Sequence, residues 1–439
     1  MKLTVIGCGY LGATHAACMA ELGHQVLGMD SDMEKVAIMN SGKAPFLERG
    51  LDTLIARHTA DGRLEFTASY EEAAAFGNLH FVCVGTPQQP GKHAYDLGHL
   101  FTAVRKLSPW LRSPAVVAVK STVPVGAAPR VRDLLHEVAP AGDAIEVAWN
   151  PEFLRESFAV KDTLRPDRLV LGFDSENSRA EAVLRQCYEK IIETGTPTIV
   201  TDWATAELAK TSANAFLATK ISFINAIAEI CEASGADVDR LADILGHDAR
   251  IGQGGMRPGL GFGGGCLPKD IRGFMARADE LGVGRALTIL REVDAINSRR
   301  RERVVDLARR QLDDTLVGKR ITVWGAAFKP GTDDIRDSPA LAVARRLHEL
   351  GATITVTDPQ ALDNARKRHP ELDYVDDPIA AVEGAHLLLH LTEWPLYSRL
   401  DPDRLAARTS TPKVIDGRGT LDAETWRRAG WTFRALGRH

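Results

Sequence analysis

None of the six cysteines, at positions 8, 18, 83, 187, 231 and 266, pairs with another in C-x-x-C spacing, so neither a zinc site nor a redox dithiol is indicated and no metal is expected. No apolar stretch approaches the roughly 20 residues that cross a bilayer. The longest, such as Ala115–Val119, are the size of a strand. The opening Met1-Lys2-Leu3-Thr4-Val5-Ile6-Gly7 runs into glycine without the apolar core and cleavage site of a secretion signal, and a soluble, cytoplasmic protein is expected. Neither charge is in excess: Lys+Arg total 54 and Asp+Glu 58, a formal net charge of -4. That leaves no basic field to recruit nucleic acid or an anionic membrane. The rest is ordinary. With 439 residues, 44% hydrophobic and 26% charged, the chain is long enough for roughly two to four domains, each with its own core.

Short β-rich runs at Leu3–Ile6, Gln25–Met29, Phe81–Val84 and Ala115–Lys120 alternate with helical patterns, as doubly wound parallel sheets do. A first α/β domain is expected to about Asp202. From Ala204 to Ala233 there is no Gly or Pro, enough chain for a helix of about 45 Å at ~1.5 Å per residue. A glycine-rich loop follows at Gly252–Gly265. Helix then resumes to about Arg310, and a second alternation runs through Arg320–Trp324, Pro339–Leu350, Thr353–Thr357, His386–Leu391 and Lys413–Ile415. The expected fold is two Rossmann-like α/β domains joined by a long central helix, with boundaries at 1–202, 203–310 and 311–439.

Gly7-Cys8-Gly9-Tyr10-Leu11-Gly12 lies between a strand and a helix, and Asp30 ends the next strand. This is the dinucleotide fingerprint in its proper setting. Gly7 permits the turn, Gly9 lets backbone N–H groups approach a pyrophosphate, and Gly12 lets helix pack on strand. Asp30 should accept from the ribose 2′-OH, which favours NAD over NADP because a 2′-phosphate would meet like charge. Cys8 reads as a small buried filler.

Gly261-Phe262-Gly263-Gly264-Gly265-Cys266-Leu267-Pro268-Lys269-Asp270 sets a cysteine after a glycine loop, with a lysine and a carboxylate beyond it. The glycines could offer N–H groups to a reacting oxygen, the lysine and a helix start could favour thiolate, and the aspartate could handle water. Taken alone, a cysteine in such a glycine-rich loop is structural more often than catalytic. Lys210 and Asn214 share one face of the long helix, either acting on a substrate hydroxyl or forming a solvated stripe. Glu152 and Glu156 follow a strand end in Asn150-Pro151-Glu152-Phe153-Leu154-Arg155-Glu156, either as ligand-facing carboxylates or as surface charge. Lys120-Ser121-Thr122 brings hydroxyls to another strand end, for chemistry or for capping the turn.

Together these residues resemble the UDP-glucose 6-dehydrogenase family, within the wider group that oxidises UDP- and GDP-linked sugars. The likeness covers almost the whole chain and rests on the glycine fingerprint, Val84-Gly85-Thr86-Pro87, Ser121-Thr122-Val123-Pro124-Val125-Gly126, Asn150 to Leu154, Asn214-Ala215-Phe216-Leu217-Ala218-Thr219-Lys220, Gly261 to Asp270 and Ala327-Phe328-Lys329-Pro330.

The resemblance implies an NAD-dependent, four-electron oxidation of UDP-glucose at C6 to UDP-glucuronate, without release of the aldehyde. Cys266 matches the family nucleophile that forms a thiohemiacetal and then a thioester. Lys210 and Asp270 match residues for alkoxide stabilisation and water handling, Asn214 supports that water, and Thr122 and Glu152 are similar to a proton-transfer pair. Gly7, Gly9, Tyr10, Leu11, Gly12, Asp30, Lys35, Thr86, Thr122, Glu156 and Arg336 match cofactor contacts. Glu152, Phe153, Leu154, Lys210, Asn214, Phe262, Gly263, Lys329 and Arg418 match nucleotide-sugar contacts, as does Arg250, which the family donates to the neighbouring subunit of a homodimer built on the long helix. On this likeness residues 1–202 bind NAD, 203–310 dimerise and carry the cysteine loop, and 311–439 bind the nucleotide sugar.

Gly265 and Leu267 depart from the family's usual Ser and Phe, Gly254-Gly255 replaces a segment that commonly carries an aromatic, and Asn225-Ala226 lacks the usual Glu. GDP-mannose or another UDP-hexose is therefore an alternative substrate. A two-electron β-hydroxyacid dehydrogenase would share the first domain and the Lys-x-x-x-Asn helix, but it needs neither Cys266 nor a second α/β domain. A non-catalytic dinucleotide sensor would leave Cys266, Lys269 and Asp270 idle.

Overall fold

A computed structural model describes residues 1–175 and 178–438. The chain divides into two compact units, one of Met1–Ala213 with Ala276–Gly282 and one of Asn214–Met275 with Val283 onward.

In the first unit the described strands are β1 (Lys2–Ile6), β2 (Gln25–Met29), β3 (Leu64–Thr67), β4 (Leu79–Val82), β5 (Ala115–Val119), β6 (Ile145–Trp149), β7 (Leu169–Phe173) and β8 (Thr198–Asp202), in sheet order β3-β2-β1-β4-β5-β6-β7-β8. Strands β1 to β6 pair in parallel. Central strands such as Ala-Val-Val-Ala-Val in β5 are apolar throughout and buried on both faces, as helices covering both sides of a parallel sheet require. The order reverses between β1 and β4, and α/β sheets bind ligands beyond the carboxyl ends of strands at such a point. One departure from an all-parallel sheet occurs where β7 meets β6 antiparallel at Trp149 and Gly172. Gly172 is required there, because a methyl group would lie 2.5 Å from Ala206 Cβ.

The second unit carries β9 (Arg320–Trp324), β10 (Thr353–Thr357), β11 (Asp373–Tyr374), β12 (Leu387–His390), β13 (Lys413–Asp416) and β14 (Thr432–Ala435), ordered β11-β10-β9-β12-β13-β14 and parallel throughout. This repeats the reversal of the first unit, with β9 and β12 at the switch. The expected pair of α/β sheets and the long helix are borne out. The helix runs from Trp203 to Ser234, 32 residues, roughly 48 Å at ~1.5 Å per residue. Its ends agree with the stretch free of Gly and Pro to within one residue. Among the described residues no helix is long and apolar enough to cross a membrane.

Candidate active site

At the β1 end of the first unit, Gly7 has φ +88°, and a side chain there would press on Val84 Cγ1 at 2.7 Å. A methyl group on Gly12 would collide with the Gly7 carbonyl. Gly9 differs: nothing lies within 4 Å of where its methyl group would be. It is the N-cap of the helix Tyr10–Glu21 and makes no side-chain cap, so no capping side chain at Gly9 occupies the first-turn N–H groups. That combination of crowded flanks and an open centre suits a pyrophosphate at a helix N-terminus. The cofactor therefore fits the residues present. Asp30, just past β2, accepts from Cys8 N at 2.8 Å and Asp32 N at 2.9 Å, which fixes its carboxylate beside the loop. Cys8 is buried, and burial pushes its thiol far above the ordinary range, as a filler requires. Tyr10 donates to Glu48, and Leu11 packs against the core. Lys35 pairs with Asp32, 3.6 Å away, on an exposed helix start.

The loops after β4, β5 and β6 gather the next group. Thr86 Oγ1 donates to Thr122 O at 2.6 Å, and Ser121 Oγ to Val84 O at 2.7 Å. These hydroxyls tie two strand ends together. Glu152 is not surface charge: Oε1 meets Lys210 Nζ at 2.9 Å, and Oε2 accepts from Leu154 N at 2.8 Å. Phe153 lies under the Arg168 guanidinium, 3.7 Å from the ring centroid. Glu156 is buried, and Ser157 beside it holds φ +69°. Buried Glu48 secures that strained residue by accepting from Ser157 N at 2.8 Å and Ala159 N at 2.9 Å. Lys210 is buried rather than part of a solvated stripe, as is Asn214 one turn along the same helix.

In the second unit Cys266 is exposed immediately before the helix Leu267–Glu280, its carbonyl accepting from Asp270 N at 2.8 Å. Pro268 falls in the first turn, where a missing N–H costs nothing. Asp270 is buried and held from two sides, by Asn214 Nδ2 and by Lys269 Nζ, each at 2.6 Å. The glycine loop is corrected in part. Gly264 N donates to Arg336 O at 2.9 Å and Phe262 N to Asn297 Oδ1 at 2.8 Å, so these two amides are engaged in packing rather than offered to a reacting oxygen.

Crowding explains the glycines. Methyl groups would press on Asn297 from Gly261, on Asp337 and Pro339 from Gly263, on the Phe328 ring from Gly264 at 2.8 Å, and on the Arg336 guanidinium from Gly265. Arg336 itself chelates Asp334 at 2.6 and 2.9 Å. Lys329 Nζ lies 5.6 Å from the Phe328 centroid. Arg418 reaches Gly261 O at 3.2 Å and Phe328 O at 3.3 Å, lining a small polar pocket with Asn225, Arg257 and Glu393. Arg250 stands apart, 89% exposed and paired with Asp248 at 2.6 Å.

Several supporting residues carry no local sequence pattern. Buried Lys120 donates to Asn150 Oδ1 at 2.8 Å, an oxygen shared with Tyr188 Oη at 2.6 Å, and desolvation lowers the Lys120 pKa. Glu207 caps Gly126 N and Ala128 N at 2.6 and 2.7 Å, and burial raises its pKa. A lysine closing the wholly apolar β5 was one available clue. Glu48 and Asn297 had none.

A dinucleotide cradle on a doubly wound sheet, a carboxylate at the second strand end and a second α/β unit bearing a cysteine loop define the class: a nucleotide-dependent oxidoreductase. Residues 1–192 match the NAD binding domain of the UDP-glucose/GDP-mannose dehydrogenase family, 204–299 its central domain and 322–423 its UDP binding domain. UDP-glucose 6-dehydrogenase of Rhizobium meliloti is 38% identical over 438 residues, covering 100% of both chains. A UDP-glucose dehydrogenase structure from Pyrobaculum islandicum superposes with a TM-score of 0.92 at 35% identity, over 100% of this chain and 98% of that one. A UDP-D-ManNAc dehydrogenase from Pyrococcus horikoshii gives 0.87 at 26% identity, over 100% and 99%. The chain belongs to the UDP-glucose/GDP-mannose dehydrogenase family and is an NAD-dependent oxidoreductase acting on a nucleotide sugar.

Proposed function

We propose that the protein oxidises UDP-glucose at C6 to UDP-glucuronate in two successive two-electron steps, with Cys266 as the covalent nucleophile. The observation that carries this reading is an exposed cysteine at a helix start, four residues before a buried carboxylate held by Asn214 and Lys269. A two-electron dehydrogenase has no use for that pair. The helix start favours the thiolate form.

The Gly7–Gly12 loop and Asp30 would hold NAD, which would supply the hydride acceptor for each oxidation. In the first, Glu152 and Thr122 lead the hydroxyl proton away, and the Lys210 ammonium, already within reach of a carboxylate oxygen, stabilises the developing alkoxide. The Cys266 thiolate adds to the aldehyde carbon to form a thiohemiacetal, and loss of the second hydride leaves a thioester. Asp270, oriented by Asn214, directs the water that releases the acid and regenerates the thiolate.

We assign residues 1–202 to the cofactor, 203–310 to dimerisation and the nucleophile, and 311–439 with Phe262, Gly263, Lys329 and Arg418 to the nucleotide sugar. A homodimer is supported by the apolar side chains that the long helix exposes every seventh residue: Phe216 at 66%, Phe223 at 50% and Ile230 at 61%. A seven-residue apolar repeat on a helix seeks a partner helix. Arg250, exposed and held by Asp248 of its own turn, suits donation to the partner's substrate. A cytoplasmic setting suits six cysteines that form no disulfide among the described residues. Incubation with NAD and UDP-glucose should yield two NADH per sugar acid with nothing captured by a carbonyl trap. One NADH per sugar, or faster turnover of GDP-mannose, would reject the assignment.

A further inference from the structure

Strands β12 and β13 lie side by side in parallel, and their last residues, His390 and Asp416, are register partners. Both side chains are wholly buried, with His390 Nδ1 2.9 Å from Asp416 Oδ1. The carboxylate does more than meet the ring. Oδ1 also accepts from Arg418 N and Gly419 N, each at 2.9 Å, and Oδ2 from Leu421 N at 2.8 Å. Burial alone would raise the pKa of this carboxyl, but the hydrogen bonds from His390 and the backbone prevail and hold it below its usual range. An ionised carboxylate only accepts, so Nδ1 carries the proton and donates it. Among the described residues Nε2 has no hydrogen-bond partner, and the ring sits among others, with Trp324 and Tyr397 centroids 6.4 and 5.8 Å from that of His390. Among the described residues Nδ1 is thus the ring's polar link.

The turn that Asp416 organises carries Arg418, whose side chain joins three loops. Nε donates to Leu391 O at 2.7 Å, Nη1 to Gly261 O and Nη2 to Phe328 O, while Glu393 lies 3.2 Å from Nε. Leu391 directly follows His390. The guanidinium is therefore referenced to the end of β12 through its own hydrogen bond and through the His390–Asp416 pair.

We propose that His390 is a positioning residue for nucleotide-sugar binding: by donating to Asp416 it fixes the 416–421 turn and so aims the Arg418 guanidinium. This rests on the reading that Arg418 contacts the nucleotide sugar. Leucine at 390 fills comparable space in the aromatic surround but leaves Asp416 buried with one donor fewer, and a carboxylate short of a donor reorganises the turn that supplies the others. Asparagine places its Nδ2 where Nδ1 stood and keeps the donor.

The test compares wild type, His390→Leu, His390→Asn and Arg418→Met for kcat, KM for UDP-glucose, KM for NAD and thermal midpoint. His390→Leu should raise the UDP-glucose KM about five- to tenfold, the worth of one hydrogen bond, with kcat and the NAD KM within about twofold of wild type. His390→Asn should return the sugar KM to within about twofold, and Arg418→Met should raise it further. Should His390→Leu fail to fold, His390→Gln, which withdraws the donor from the Nδ1 position, replaces it. Parallel loss in all three kinetic constants, an unchanged sugar KM in His390→Leu, or no rescue by asparagine would overturn the proposal while leaving the Arg418 reading intact. An unaffected sugar KM in Arg418→Met would remove that reading, and the proposal with it.

Discussion

Alanine at Gly12 would place its methyl carbon 2.9 Å from the Gly7 carbonyl carbon and 3.2 Å from Cys83 Cβ, inside the roughly 3.5–4.0 Å at which carbons rest. Both obstacles belong to tightly packed chain, so the helix Tyr10–Glu21 must shift. Overpacking of this kind costs ~1–3 kcal/mol, and a backbone collision sits at the upper end. Alanine's better helix propensity returns ~1 kcal/mol, leaving a net loss of about 2 kcal/mol. For a unit the size of Met1–Ala213, that lowers the thermal midpoint by about 4–8 °C. Gly9→Ala is the counterpart. Its φ is -71° and nothing lies within 4 Å of the new methyl group, so folding tolerates it, and reduced freedom in the unfolded chain adds ~0.4–1 kcal/mol of stability. The methyl group would, however, stand where the pyrophosphate approaches, so NAD should bind at least about tenfold more weakly, roughly 1.4 kcal/mol. Thermal unfolding without ligand and calorimetric titration with NAD separate the two effects. Wild-type NAD affinity in Gly9→Ala, or a wild-type midpoint in Gly12→Ala, would refute the division of labour assigned to these glycines.

Cys266→Ser should bind both substrates yet lose net turnover by about a thousandfold or more, and a mass increase should appear on the intact protein as the introduced serine holds its ester; near wild-type turnover with two NADH per sugar would make the covalent route untenable. Asp30→Ala should erode the preference for NAD over NADP in kcat/KM, since no carboxylate then opposes a 2′-phosphate; an unchanged ratio would count against Asp30 as the selector. Mixed dimers of Arg250→Ala and Cys266→Ala subunits should regain part of the activity, because one of the two sites then carries neither lesion. Absence of recovery in verified mixed dimers would exclude donation of Arg250 in trans.

Features that depend on nearby residues were legible in the chain itself. The glycine spacing at 7, 9 and 12, Asp30 at the next strand end and the uninterrupted run to Ala233 each lie within one or two elements, and all are found in their expected settings. Strand β8 was harder to read: its Thr-Ile-Val-Thr-Asp is half exposed, so it lacks the unbroken apolar run that marks a central strand. Buried polar partnerships escaped for a different reason. Lys120 with Asn150 and Tyr188, Glu48 with Ser157, and His390 with Asp416 are brought together by strand register and loop closure across long stretches of chain. The glycine loop shows the limit in reverse. Its unusual composition flagged Cys266, but openness to solvent and packing against Phe328, Arg336 and Asn297 both call for glycine, and only coordinates distinguish them.

That packing bears on when the loop loses its freedom. Four glycines in the five residues from Gly261 to Gly265 give the unfolded chain about as much conformational entropy as a segment of that length can have. Held by Asn297, Phe328, Arg336 and Asp337, the segment surrenders that entropy as the second unit folds, before any sugar arrives. Substrate capture then has little of this loop left to order, and the proposed nucleophile next to Gly265 waits on a preorganised platform despite a sequence that looks like a tether.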